Sequence, residues 1–159
     1  MTCWHITIST FGSRLCGTKT LHQAQRTRRV PQAFREIRRA SMLERMKRPP
    51  VTFVREQMTT LEAAIPVICL RGGWHLRVCA AQSTHVHLLL DADPMIGGAA
   101  IRRLLKRWLT QHLNERWRAS AIGSDGGWWA EGGSARPVAN PTHQQRVFEY
   151  ILRQRATQS

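Results

Sequence analysis

Thr84-His-Val-His-Leu-Leu-Leu90 is the stretch that decides the fold. In an extended strand, side chains two apart share a side. Val86, Leu88 and Leu90 therefore turn to a core, while His85 and His87 project together on the other side. Just upstream, Trp74 to Ala81 alternates in the same way, and the small break at Gln82-Ser83 between two such runs predicts an antiparallel hairpin. Further back, Trp4-His-Ile-Thr-Ile-Ser-Thr10 sets Trp4, Ile6 and Ile8 against His5, Thr7 and Ser9, the period-two pattern of a half-buried first strand.

Helical spacing fills the intervals between and beyond these strands. Leu61, Ala64, Ile65 and Ile68 predict a helix over 56–70, kinked or begun by Pro66 and ended by Gly72-Gly73. Asp93-Pro94 reads as an N-cap with proline at the first helical position, leading into Ile101, Leu104, Leu105, Trp108 and His112 on a helix that runs to about Trp117. The glycine-rich stretch 120–133, with Trp128-Trp129, predicts a loop or short strand whose tryptophans pack in the core. Asn140-Pro141 repeats the cap-and-proline signal before Val147, Tyr150, Ile151 and Gln154.

At 159 residues the chain fits one domain, 1–159, with a basic insertion at about 25–50 that carries at most a short helix over 32–46. No apolar run is long enough to cross a membrane, and the opening Met1-Thr-Cys-Trp-His lacks the features of a secretory signal, so a cytoplasmic location is expected. Cys3, Cys16, Cys69 and Cys79 have no close metal-binding spacing and are expected reduced and mostly buried. The 24 Lys and Arg against 10 Asp and Glu give a net charge of +14, which points to a polyanionic partner. So few acids make a nuclease site built from several carboxylates hard to assemble. Arg102, Arg103, Lys106, Arg107 and Arg116 on the second helix, and the insertion with Arg35, Arg38 and Arg39, are the candidate phosphate contacts.

Two imidazoles side by side suggest a metal, although an HxH pair alone serves a structural or surface role as often. A histidine-triad hydrolase would want a further histidine at position 89, which is Leu89. Tyr150 is the only tyrosine, and Gln154 shares its helix face. The combination carries more weight than its parts. A two-histidine metal site leaves coordination open for a scissile phosphate, a phenol can attack that phosphate, and a carboxamide oxygen can complete the metal shell.

With these residues in view, the chain resembles the single-tyrosine HUH transposases, the REP-associated tyrosine transposases and related small insertion-sequence transposases that act on single-stranded DNA. The likeness runs through Trp4-His-Ile-Thr-Ile-Ser-Thr-Phe-Gly-Ser-Arg14, Gly73-Trp-His-Leu76, Thr84-His-Val-His-Leu-Leu-Leu90, the helix around Leu105-Lys106, and Phe148-Glu-Tyr-Ile-Leu-Arg-Gln154. It implies an α+β fold, a central antiparallel sheet flanked by helices (ferredoxin-like, the HUH endonuclease fold). It implies His85 and His87 as metal ligands, Gln154 as a third, Tyr150 as nucleophile, and a homodimer in which the tyrosine helix can serve either chain. The basic insertion has no counterpart there, and Trp128-Trp-Ala-Glu-Gly-Gly-Ser-Ala-Arg136 lacks the aromatic-rich continuation of many relatives, so the choice of DNA ends does not transfer.

The expected function is a metal-dependent transposase or endonuclease. It would cleave and rejoin single-stranded or hairpin DNA through a covalent 5′-phosphotyrosine, with Mg²⁺ or Mn²⁺ as cofactor. The alternative is a domesticated protein that binds DNA hairpins without cutting them. A basic RNA-associated protein fits the charge but leaves His85, His87, Tyr150 and Gln154 unexplained.

Overall fold

The computed structural model describes residues 1–10, 51–117 and 127–156. Among them, the elements in chain order are β1 (Thr2–Ser9), α1 (Arg55–Arg71), β2 (His75–Gln82), β3 (His85–Ala92), α2 (Gly98–Trp117), β4 (Ser134–Pro137) and α3 (Pro141–Ala156). The strands form one sheet in the order β2-β3-β1-β4, and every pair is antiparallel. A β-α-β-β-α-β chain order with this strand order is the ferredoxin-like arrangement, here extended by α3. The α+β class is therefore the one expected.

The hairpin of β2 and β3 turns at Ser83-Thr84, one residue later than the break in the sequence pattern indicates. Its turn is held from outside, because Phe53 N donates to Ser83 O at 2.7 Å and Thr10 N to Thr84 O at 2.8 Å. Near the other end, the pairing skips Arg77 between Leu76 and Val78. Arg77 Nε then donates to the buried Asp91 Oδ2 at 2.7 Å, and its Nη1 donates to Gln144 Oε1 on α3 at 2.9 Å.

The two faces of the sheet carry different layers. Ile6, Ile8, Val86, Leu88 and Leu90 are buried with Leu61 and Ile65 of α1 and with Ile101, Leu105, Leu109 and Leu113 of α2. Each such side chain contributes about 1.5–3 kcal/mol by leaving water. The opposite face packs Val78, Ala80 and Leu89 against Val147 and Ile151 of α3. β1 is thus covered on both faces rather than half-buried, with Thr7 and Ser9 as buried as its aliphatic residues. Alternation reads as amphipathic exposure only when one face meets water.

Helix ends depart from the sequence reading in two places. α1 starts at Arg55, where Val54 N donates to Gln57 Oε1 at 3.0 Å, and continues through the exposed Pro66 without starting there. α2 starts at Gly98, because the Asp93 carboxylate accepts from Met95 N at 2.8 Å and so closes a local turn. A Cβ on Gly98 would lie 2.5 Å from the Trp4 ring, so the helix meets the sheet where a hydrogen is the only side chain that fits. The buried stripe of α2 runs through Leu109 and Leu113, while His112 sits half-exposed, 3.8 Å from Glu115. α3 begins where Asn140-Pro141 predicts, with Asn140 Oδ1 accepting from Thr142 N at 2.8 Å.

β4 has no signature in the sequence: only four residues long, its Ser-Ala-Arg-Pro has no apolar alternation and is a strand because β1 offers it a partner. Trp128 is core, as expected, its indole N–H donating to Asn114 Oδ1 at 2.7 Å. Cys3, Cys69 and Cys79 are free and buried. Cys16 and the helix expected over 32–46 lie outside the described residues. Among the described residues, no helix is long and apolar enough to cross a membrane.

Candidate active site

The face of the sheet under α3 gathers the polar residues of two neighbouring central strands. His85 and His87 project together from β3, their ring centroids 4.6 Å apart and nearly perpendicular. Antiparallel pairing sets Thr7 of β1 directly opposite His87, and His5 opposite Leu89. Directly opposed and diagonal neighbours on one face of such a pair lie within reach of each other. Accordingly Thr7 Oγ1 lies 3.1 Å from His87 Nδ1, and His5 Nε2 lies 3.3 Å from the same nitrogen, with the His5 and His87 rings stacked at 5.4 Å. Thr84 Oγ1 stands 3.0 Å from His85 Nδ1. Both candidate ligands thus have Nδ1 engaged by a hydroxyl.

α3 supplies the fourth side. With Val147 and Ile151 buried against the sheet, the half-buried Tyr150 places its ring edge-to-face with His87, centroids 5.5 Å apart. Gln154 follows one turn later, and its backbone carbonyl accepts from Gln82 Nε2 at 2.7 Å. Gln82 is the cross-strand partner of His85. The three residues of the H-x-H and tyrosine signals, separated by more than 60 positions in sequence, therefore meet within one chain.

Burial governs protonation here. It pushes His87 down to about 2, aided by the positive forms of His85 and His5. Burial likewise pushes His5 down to about 4, with Arg136 and His143 adding repulsion. It also lowers His85. Neutral imidazoles keep a lone pair, which is what a metal ligand requires. Two such donors match a divalent cation in chemistry. Among the described residues, no three His, Cys, Asp or Glu side chains converge to hold a metal, so His5 is not a third member of a ready-made histidine cage.

The basic residues divide between the two layers. α2 lies on the face opposite α3, so Arg103 and Arg107 are exposed on the layer away from Tyr150. Arg102 Nη1 donates to Gly133 O at 2.9 Å, and Lys106 Nζ donates to Ala130 O and Gly132 O, both at 2.6 Å. Those two cations hold the loop that leads into β4. Gly133 there has φ +114°, and a Cβ on it would come 2.7 Å from Thr7 O. Arg35, Arg38 and Arg39 lie outside the described residues.

Sequence reasoning missed three residues. His5 and Thr7 show only as polar positions of an alternating strand, and become part of the site through the pairing of β1 with β3. Arg136 is the cross-strand partner of His5 and hence shares its face, yet it sits in a strand without a sequence signature.

No protein-family model matches the chain, and no curated protein matches it. Among solved structures, a crystal structure described as a "putative transposase" from Deinococcus radiodurans R1 superposes with a TM-score of 0.55 at 15% identity, covering 97% of this chain and 92% of that one. At that identity the likeness is one of fold.

Proposed function

We propose that this chain is a metal-dependent single-strand DNA transesterase of the HUH type, a transposase or endonuclease that cuts and rejoins DNA through Tyr150. The observation that carries the reading is the contact of the only tyrosine with His87, at 5.5 Å, beside a second histidine. The family resemblance of the sequence and the transposase description of the fold neighbour support it. In the first step Tyr150 Oη attacks the scissile phosphorus. The P–Oη bond forms, the P–O3′ bond breaks, the phenol proton passes to an acceptor in the site, and the departing 3′-oxygen takes up a proton. The phosphodiester energy is kept in the tyrosine ester, so a 3′-hydroxyl can reverse the step on a new strand without another energy source.

His85, His87 and the Gln154 carboxamide would hold the cation. Bound there, Mn²⁺ or Mg²⁺ would supply positive charge to a phosphate becoming more negative as it reacts. Two imidazoles favour Mn²⁺ over the oxygen-seeking Mg²⁺. Burial keeps both rings neutral, and α3 brings the phenol to them from the same chain.

The test is a 3′-labelled single-stranded or hairpin oligonucleotide incubated with Mn²⁺, denatured in detergent, and examined for protein-linked label whose peptide is then mapped. An adduct at Tyr150 is expected. Tight DNA binding with no adduct, on hairpins taken from beside the gene, would replace this reading by the binding-only alternative.

A further inference from the structure

His87 is unlike His85 in having two partners at one nitrogen. Thr7 Oγ1 lies at 3.1 Å and His5 Nε2 at 3.3 Å from its Nδ1. A contact between two imidazole nitrogens is a hydrogen bond in one of two directions, since one nitrogen must carry the proton and the other the lone pair. If His5 donates, His87 carries its own proton on Nε2 and has no lone pair there. If His87 donates, Nε2 is bare. Resting on the assignment of His87 as a ligand, we propose that His5 is the positioning residue of this site: it accepts the Nδ1 proton of His87, with Thr7 sharing that proton, and so fixes the tautomer that turns an Nε2 lone pair to the cation.

Two features of the fold support the acceptor role. The stacked rings hold the two nitrogens in register, because β1 and β3 are central strands whose pairing fixes His5 diagonal to His87. His5 does not join His85 and His87 in a three-ligand cluster, so its contact with His87 is made through the ring rather than through a shared ion. Groups that orient a ligating histidine through its second nitrogen alter metal affinity about 10–100-fold when removed.

The tautomer is read directly, without metal or DNA, from long-range ¹H–¹⁵N correlations of the histidine rings in the folded protein. The expected spectrum has His87 protonated at Nδ1 with an unprotonated Nε2. His87 protonated at Nε2 overturns the proposal, and this holds whether or not any variant folds. The second arm uses His5→Phe, which keeps a stacked ring but has no acceptor, combined with Thr7→Val, which keeps shape without the hydroxyl. Mn²⁺ affinity of the metal-free protein should fall about 10–100-fold and His87 should populate the other tautomer, with DNA affinity in chelator unchanged. His5→Gln, whose carboxamide oxygen accepts, should restore much of the Mn²⁺ affinity. An unchanged His87 tautomer and Mn²⁺ affinity in the folded double variant also overturn it. Failure of the transesterase reading has a different sign, the absence of a Tyr150 adduct with the His87 tautomer as proposed.

Discussion

Tyr150 and His87 stand edge-to-face, 5.5 Å between ring centroids, across the seam where α3 lies on β3 of the same chain. An aromatic edge contact of this kind contributes about 0.5–1.5 kcal/mol beyond its buried area, and it belongs to the ring rather than the hydroxyl. Tyr150→Phe should therefore leave the melting temperature within a few degrees of wild type and DNA binding within twofold, while the covalent adduct disappears. Mixing Tyr150→Phe with His85→Ala/His87→Ala chains should not restore cleavage, since Tyr150, His85 and His87 meet within one chain. Recovered cleavage in the mixture would mean that α3 exchanges between copies in solution.

Single-strand binding should weaken with salt by about 0.7 in log K per log salt for each phosphate neutralised. Arg136 shares the face of His5, whereas Arg103 and Arg107 are exposed on the other layer. Arg136→Ala should lower that slope by nearly one phosphate and slow cleavage. Arg103→Ala/Arg107→Ala should alter the slope with little effect on cleavage of bound DNA. Filter binding across a salt series, paired with single-turnover cleavage, separates the two surfaces.

Lys106 holds two carbonyls of the loop before β4, and hydrogen bonds from a charged donor contribute about 1.5–3 kcal/mol. Lys106→Met keeps most of the apolar stem and leaves both oxygens without this donor. A loss of that order in urea denaturation is expected. Stability unchanged beside weakened DNA binding would instead identify Lys106 as a phosphate contact.

Acid should loosen this fold earlier than its few carboxylates alone would require. The folded state lowers His5 to about 4 and His87 to about 2, both from 6.5, mainly through burial. Between those values and 6.5 the unfolded chain binds protons that the native chain excludes. Stability is thus fully present above about pH 6.5 and is lost as pH falls through that window. Thermal melts between pH 7.5 and 4.5 should slope downward toward acid, and His5→Gln should flatten the slope by removing one such proton. A wild-type melting temperature independent of pH over this range would contradict the burial of these rings.

Much of this arrangement was legible from residue spacing. The alternation in 84–90 gives β3 and its two histidines, and Asn140-Pro141 gives the start of the helix that carries Tyr150. Periodicity reports how one segment meets its surroundings and says nothing about which segments are neighbours. For that reason His5 and Thr7, plain polar positions on β1, gained a role only when the strand order put them against β3. β4 escaped for a related reason, since its hydrogen bonds come from β1 and its own side chains carry no pattern. The start of α2 was misplaced because Asp93 offers the same side-chain acceptor to a turn as to a helix, and Gly98 marks where the helix can approach Trp4.

β1 lies in the middle of the sheet, between β3 and β4, although it comes first in the chain. Its contribution to the histidine cluster reaches across 82 positions of sequence, from His5 to His87. Contacts of such separation form late, after the loop-closure entropy has been overcome. A growing chain accordingly reaches its tyrosine only after the strands that surround it have been made. The histidine cluster and its contact with Tyr150 then exist only in the completed tertiary structure and vanish with its cooperative loss.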